Sequence, residues 1–82
     1  MKIMSLSDLK PGQLGIVTSI EAKEAIKTRL MEMGLLKGTK LKLLKIAPLG
    51  DPLEIEVRDY RISLRKQEAS QIKVNLSTER VL

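Results

Sequence analysis

The chain contains no cysteine, no histidine, no phenylalanine and no tryptophan, and Tyr60 is its single aromatic residue. Each absence closes a class of function. Without cysteine there are no disulfides and no thiolate metal sites, and a reducing cytosol suits the chain. Without imidazole or thiol, nucleophilic catalysis of the Ser/His/Asp or Cys/His kind lacks its parts. Soft and borderline metals lose the ligands they prefer. Met31 and Met33 offer thioethers, but Met33 falls on the apolar face of a predicted helix, and Met31 alone coordinates weakly. The scarcity of aromatics removes the stacking platforms with which small barrels hold single-stranded nucleic acid.

Long hydrophobic runs are also missing. The longest uncharged stretch is residues 11–20, with two glycines and one proline, whereas a membrane-spanning helix needs about twenty apolar residues. The expectation is a protein that does not itself span a membrane. Nor do the carboxylates converge. Glu54 and Glu56 share one predicted strand face, but arginines stand opposite, the wrong surroundings for a general acid. A hard cation at Asp51, Glu54 and Glu56 finds few ligands and several cationic neighbours. No catalytic residue, cofactor, metal site or small-molecule substrate is therefore expected.

What is present is a small aliphatic core and a basic middle. Eighty-two residues suffice for one domain, and a domain of this size buries only about 60% of its unfolded surface. Fourteen Leu, eight Ile and four Val supply the core. Residues 37–66 carry eight basic and four acidic groups, most of the net +5. The excess comes mainly from Lys37, Lys40, Lys42 and Lys45. It is explained by a solvated strand face, or by mild attraction to an acidic partner, anionic lipid or nucleic acid.

Periodicity predicts five short strands. Residues 5–9 form a helical turn, broken by Lys10-Pro11-Gly12, and residues 14–20 form the first strand. A helix follows over 22–33, with Ala22, Ile26, Leu30 and Met33 on one face. Gly34 stops it, and Leu35 folds back on the last turn. The strand at 39–47 changes apolar phase, Leu41 and Leu43 first, then Leu44 and Ile46, which requires a bulge or a sharp bend. Residues 53–57 and 60–64 alternate cleanly across the two-residue turn Arg58-Asp59, a hairpin with Glu56 opposite Arg61. A helical turn at 66–71 and a closing strand at 72–76 complete the chain, with 75–82 as a loose tail. The expected fold is mainly β, a small five-stranded barrel with one helix between strands one and two.

The segment 29–74, RLMEMGLLKGTKLKLLKIAPLGDPLEIEVRDYRISLRKQEASQIKV, resembles the FeoA family, as does the opening SLSDLKPGQLGIVTSI. The resemblance covers nearly the whole chain and is most specific at APLGDP and YRISLR. It implies a single SH3-like barrel domain over residues 1–82. It also implies a cytoplasmic accessory protein of bacterial ferrous iron uptake. Such a protein is held at the inner face of the membrane by the cytosolic part of its partner, the GTPase-containing permease FeoB. The alternative is a regulatory or nucleic-acid-binding barrel, since the same core is similar to the C-terminal domain of some metal-dependent repressors. Family members usually carry glycine in the hairpin turn where this chain has Asp59.

Two surfaces are candidates for partner binding. The loop Pro48, Leu49, Gly50, Asp51 and Pro52 has an apolar tip and two prolines that limit its freedom, although Leu49 could instead fold onto the core. The second is the helix end, where Leu35 and Leu36 are adjacent and do not easily both turn inward.

Overall fold

Residues 3–77 are described by a computed structural model of the chain. They form, in order, β1 (Ile3–Ser5), a 3₁₀ turn (Leu6–Asp8), β2 (Leu14–Ile20), α1 (Glu24–Glu32) and β3 (Lys40–Ile46). β4 (Leu53–Val57), β5 (Tyr60–Leu64), α2 (Lys66–Ser70) and β6 (Ile72–Ser77) complete them. The strands make one antiparallel sheet in the order β1-β6-β2-β3-β4-β5.

Two expectations need correction. Among the described residues there are six strands, not five, and the sheet is open, because the end strands β1 and β5 do not pair. The extra strand has only three residues, too few to show a period of two. It forms because β6 offers it a partner, Met4 lying opposite Val74. The principal helix consequently lies between the second and third strands. The closing strand also runs further than expected. Asn75 pairs with both Ile3 and Ile16, and Ser77 with Leu14, so residues 75–77 are not part of a loose tail. Residues 78–82 of that tail lie outside the described residues.

The predicted phase change in β3 is a bulge. Leu43 faces Ile55 while Lys45 faces Glu54, which leaves Leu44 as the extra residue. The shift keeps Leu41 and Leu43 in the core and then turns Ile46 towards the Leu53 side, where it remains partly exposed. The hairpin register is as expected, with Glu56 opposite Arg61. Its positive φ falls on Arg58, at 58°, and not on Asp59. The left-handed position is thus the first residue of the turn, and the Asp59 substitution is not where this backbone needs a glycine.

α1 is shorter than its apolar pattern. Lys23 is extended and gives no side-chain cap, so residues 22 and 23 stay outside the helix. Leu30 from this helix joins Leu6, Val17, Leu41, Leu43, Ile55, Ile72 and Val74 in a fully aliphatic core. An ion pair between Arg29 and Glu68 links α1 to α2.

Candidate partner-docking surfaces

The helix end is built by one glycine. Gly34 takes φ +95°. This allows its N–H to donate to the Met31 carbonyl at 3.0 Å and the Leu35 N–H to donate to the Leu30 carbonyl at 3.1 Å. That pair of bonds is the Schellman closure, and it drives the following apolar side chain back onto the helix. Leu35 is accordingly 0% exposed. It belongs to the core and offers nothing to a partner, so the candidate surface here reduces to Leu36, which is 42% exposed.

Two residues that sequence reasoning assigned no role hold this corner. The Thr39 hydroxyl donates to the Gly34 carbonyl at 3.3 Å and accepts from the Leu36 N–H at 3.2 Å. The Tyr60 hydroxyl donates to the Met33 carbonyl at 2.7 Å, which satisfies an end carbonyl of the helix. Tyr60 shares the alternation phase of Ile62 and Leu64, but its ring reaches along the surface from the hairpin turn to α1. Thr39 carried a weak signal as a short polar residue after a glycine, whereas Tyr60 contacts a residue 27 positions away and carried none.

The loop between β3 and β4 is the opposite case. The Gly50 N–H donates to the Ala47 carbonyl at 2.7 Å, and the Ala47 N–H to the Pro52 carbonyl at 3.0 Å. Pro48 and Gly50 occupy the second and fourth positions of this turn, where each is favoured. Asp51 Oδ1 accepts from the Lys66 N–H at 3.0 Å and fastens the loop to the start of α2. Pro48, Asp51 and Pro52 are exposed and Gly50 half-buried. Leu49 does not fold onto the core; it stands 97% exposed at the tip. A braced backbone with one bare leucine has the form of a docking knob.

The structure does not bring the two surfaces together. Leu36 precedes β3 and Leu49 follows it, so they lie at opposite ends of the β3–β4 hairpin, roughly 20 Å apart for a seven-residue strand. The lysine-rich strand lies between them. Lys40, Lys42 and Arg58 line a surface hollow of about 360 Å³ together with Leu14 and Glu56. A second hollow of about 330 Å³ lies between β2 and α1, with Val17 and Met31 in its wall and Lys27 and Lys37 beside them. Among the described residues, no three carboxylates gather where they could hold a metal ion, and no helix is long and apolar enough to cross a membrane.

Comparison with known proteins accounts for this architecture. The FeoA domain family matches residues 4–76. The chain is 34% identical over 73 residues to an Fe(2+) transport protein A/Fe(2+) transporter FeoB fusion protein of Porphyromonas gingivalis; the match takes in 89% of this chain and 9% of that protein. The solution structure of the FeoA protein from Chlorobium tepidum is 45% identical, with a TM-score of 0.84 over 89% of this chain and 70% of that one. The zinc complex of Stenotrophomonas maltophilia FeoA, described as a procaryotic SH3 domain protein, is 34% identical, with a TM-score of 0.77 over 88% and 89% of the two chains. IdeR of T. acidophilum shares the fold alone, at 19% identity and a TM-score of 0.82 over 94% of this chain and 35% of that one. With a family match across nearly all of its described residues and an SH3-like sheet to go with it, the chain belongs to the FeoA family.

Proposed function

We propose that the protein takes part in ferrous iron uptake as an adaptor. It works in the cytoplasm, as one binding domain, by docking on the cytosolic part of a FeoB-type permease, and performs no chemistry of its own. The observation that carries this reading is the Porphyromonas gingivalis fusion, in which a segment similar to this chain is continuous with a ferrous iron transporter. A segment joined to a permease works within reach of it, and a chain of the same family works at the same place if it binds there. The braced loop with Leu49 at its tip supplies a contact of the right kind, and Leu36 a second. The regulatory alternative rests on fold likeness alone, and Tyr60, the one aromatic side chain, is engaged with the helix end rather than free to stack on bases.

The test is a calorimetric titration of the chain into the separately expressed cytosolic domain of a FeoB-type permease. Wild type binds. Leu49→Asp and Leu36→Asp each weaken binding by about fivefold or more, the effect of losing one well-packed interface side chain, while melting as wild type does. If both variants bind normally, neither surface is the docking site; if wild type fails to bind, the adaptor reading is wrong. A parallel anaerobic titration with Fe(II) alone separates an adaptor from a carrier. A stoichiometric submicromolar site would favour the carrier.

A further inference from the structure

The two ends of the sheet are finished differently. β1 is three residues long and runs directly into the 3₁₀ turn, which leaves little edge to pair with. β5 has five residues and, among the described residues, hydrogen-bonds as a strand on one side only, to β4. Its register with β4 is unbroken, and it contains no proline, glycine or lysine. Short length, bulges, prolines and edge lysines are the devices that keep a strand end from accepting another strand, and β5 has none of them. Its one charged residue, Arg61, is drawn over the sheet face to Glu54 at 3.5 Å.

The side chains along β5 say what kind of strand would fit. Register puts Ile62 and Leu64 on the core side and Arg61 and Ser63 on the other, while the Tyr60 ring runs along the surface to α1. Leu64 is 1% exposed, but Ile62 is only half-buried although Ile55, directly opposite it, is 0% exposed; the apolar layer is incomplete at the middle of β5. The flanks are cationic, since residues 58–66 hold Arg58, Arg61, Arg65 and Lys66 against the single acid Asp59. A second copy of this chain is a poor occupant, because pairing β5 with itself would bring these cations together across the new ladder.

Resting on the adaptor reading, we infer that β5 is an acceptor edge for an acidic extended segment of the permease's cytosolic part. The segment adds as a seventh strand, its apolar residues extending the layer at Ile62 and its carboxylates facing Arg58 and Arg65. Main-chain hydrogen bonds supply affinity in such strand addition, and alternate side chains supply selectivity.

Ser63 gives a test that leaves the core untouched, because it is exposed at the middle of β5. Ser63→Glu and Ser63→Gln are titrated into the purified cytosolic domain, with amide hydrogen exchange of the wild-type chain followed free and bound. Ser63→Glu weakens binding by about 1.5- to 5-fold, the range of one exposed charge pair, and Ser63→Gln leaves it unchanged. The β5 amides gain protection in the complex. Binding that is identical in both variants, or β5 amides that exchange alike free and bound, overturns the inference and leaves the adaptor reading standing. Protection of β5 that grows with protein concentration without the partner assigns the edge to self-association and also overturns it. A wild-type chain that does not bind removes both.

Discussion

The helix end at Gly34 and the loop around Leu49 both place leucine beside glycine, and the structure uses them in opposite ways. At the helix end the glycine is left-handed inside a Schellman closure, and the leucine after it is wholly buried. In the loop Gly50 closes a tight turn, and the leucine before it stands clear of the protein. Hydropathy does not distinguish the two leucines; the hydrogen bonds of the flanking backbone do. A glycine that lets the chain fold back on a helix makes a core contact, whereas a turn fastened at both its ends pushes its apex outward. Leu35 and Leu36 repeat the lesson within a single step, since only the first is carried inward.

The sharpest separation of the two regions comes from truncating their leucines. Leu35→Ala keeps the backbone closure and removes only packing, and it should cost about 2–5 kcal/mol in urea unfolding, the range for a fully buried leucine. A loss below 1 kcal/mol would mean that Leu35 is not the core residue its burial indicates. Gly34→Ala comes next. A Cβ there requires a left-handed alanine and also collides with the Tyr60 hydroxyl. Together these should cost about 2–3 kcal/mol, from the left-handed penalty plus one lost hydrogen bond. The collision makes a further demand. In a Tyr60→Phe background the same substitution should cost less, because the atom in its way has gone.

Much of the helix end was legible in the sequence, and much of the sheet. The Gly34 stop, the inward turn of Leu35, the β3 bulge and the β4–β5 register all follow from patterns within a dozen residues. β1 was not legible. Three residues hold no period, and their partner Val74 lies some seventy positions away. The hairpin shows the same limit on a smaller scale. Two-residue length was readable, but whether Arg58 or Asp59 takes positive φ depends on how the twisted strands meet. Leu49 could not be settled from sequence either, because the bond that braces its loop runs from Lys66. Residues with short-range partners were placed correctly, and those held by distant partners, Tyr60 above all, were not.

Tyr60→Phe alone is the third test of the comparison. It removes the bond to the Met33 carbonyl while keeping the ring. The donor sits at the surface and water can replace it, so the cost should be about 0.5–1 kcal/mol, the lower part of the range for a hydrogen bond. Amide exchange in the last turn of α1 should quicken while exchange in the loop around Leu49 stays the same. Equal acceleration in both places would show that the two ends of the hairpin are coupled rather than separately built.

The smallest effect on stability belongs to Leu49→Asp. At 97% exposure the side chain has no packing to lose, and an exposed substitution away from caps and strained backbone usually shifts stability by at most about 0.5 kcal/mol. For a domain of this length that corresponds to roughly 2–4 °C in melting temperature. Pro48, Gly50 and the Asp51 bond to α2 are untouched, so the loop keeps its shape. The same change should weaken docking, which puts the two readouts in opposition: Leu35→Ala destabilises the protein, and Leu49→Asp leaves its stability nearly unchanged but makes it a poorer binder. If Leu49→Asp instead lowered the melting temperature by ten degrees or more, the leucine would be packed in solution, and the contrast between the two glycine-flanked leucines would collapse.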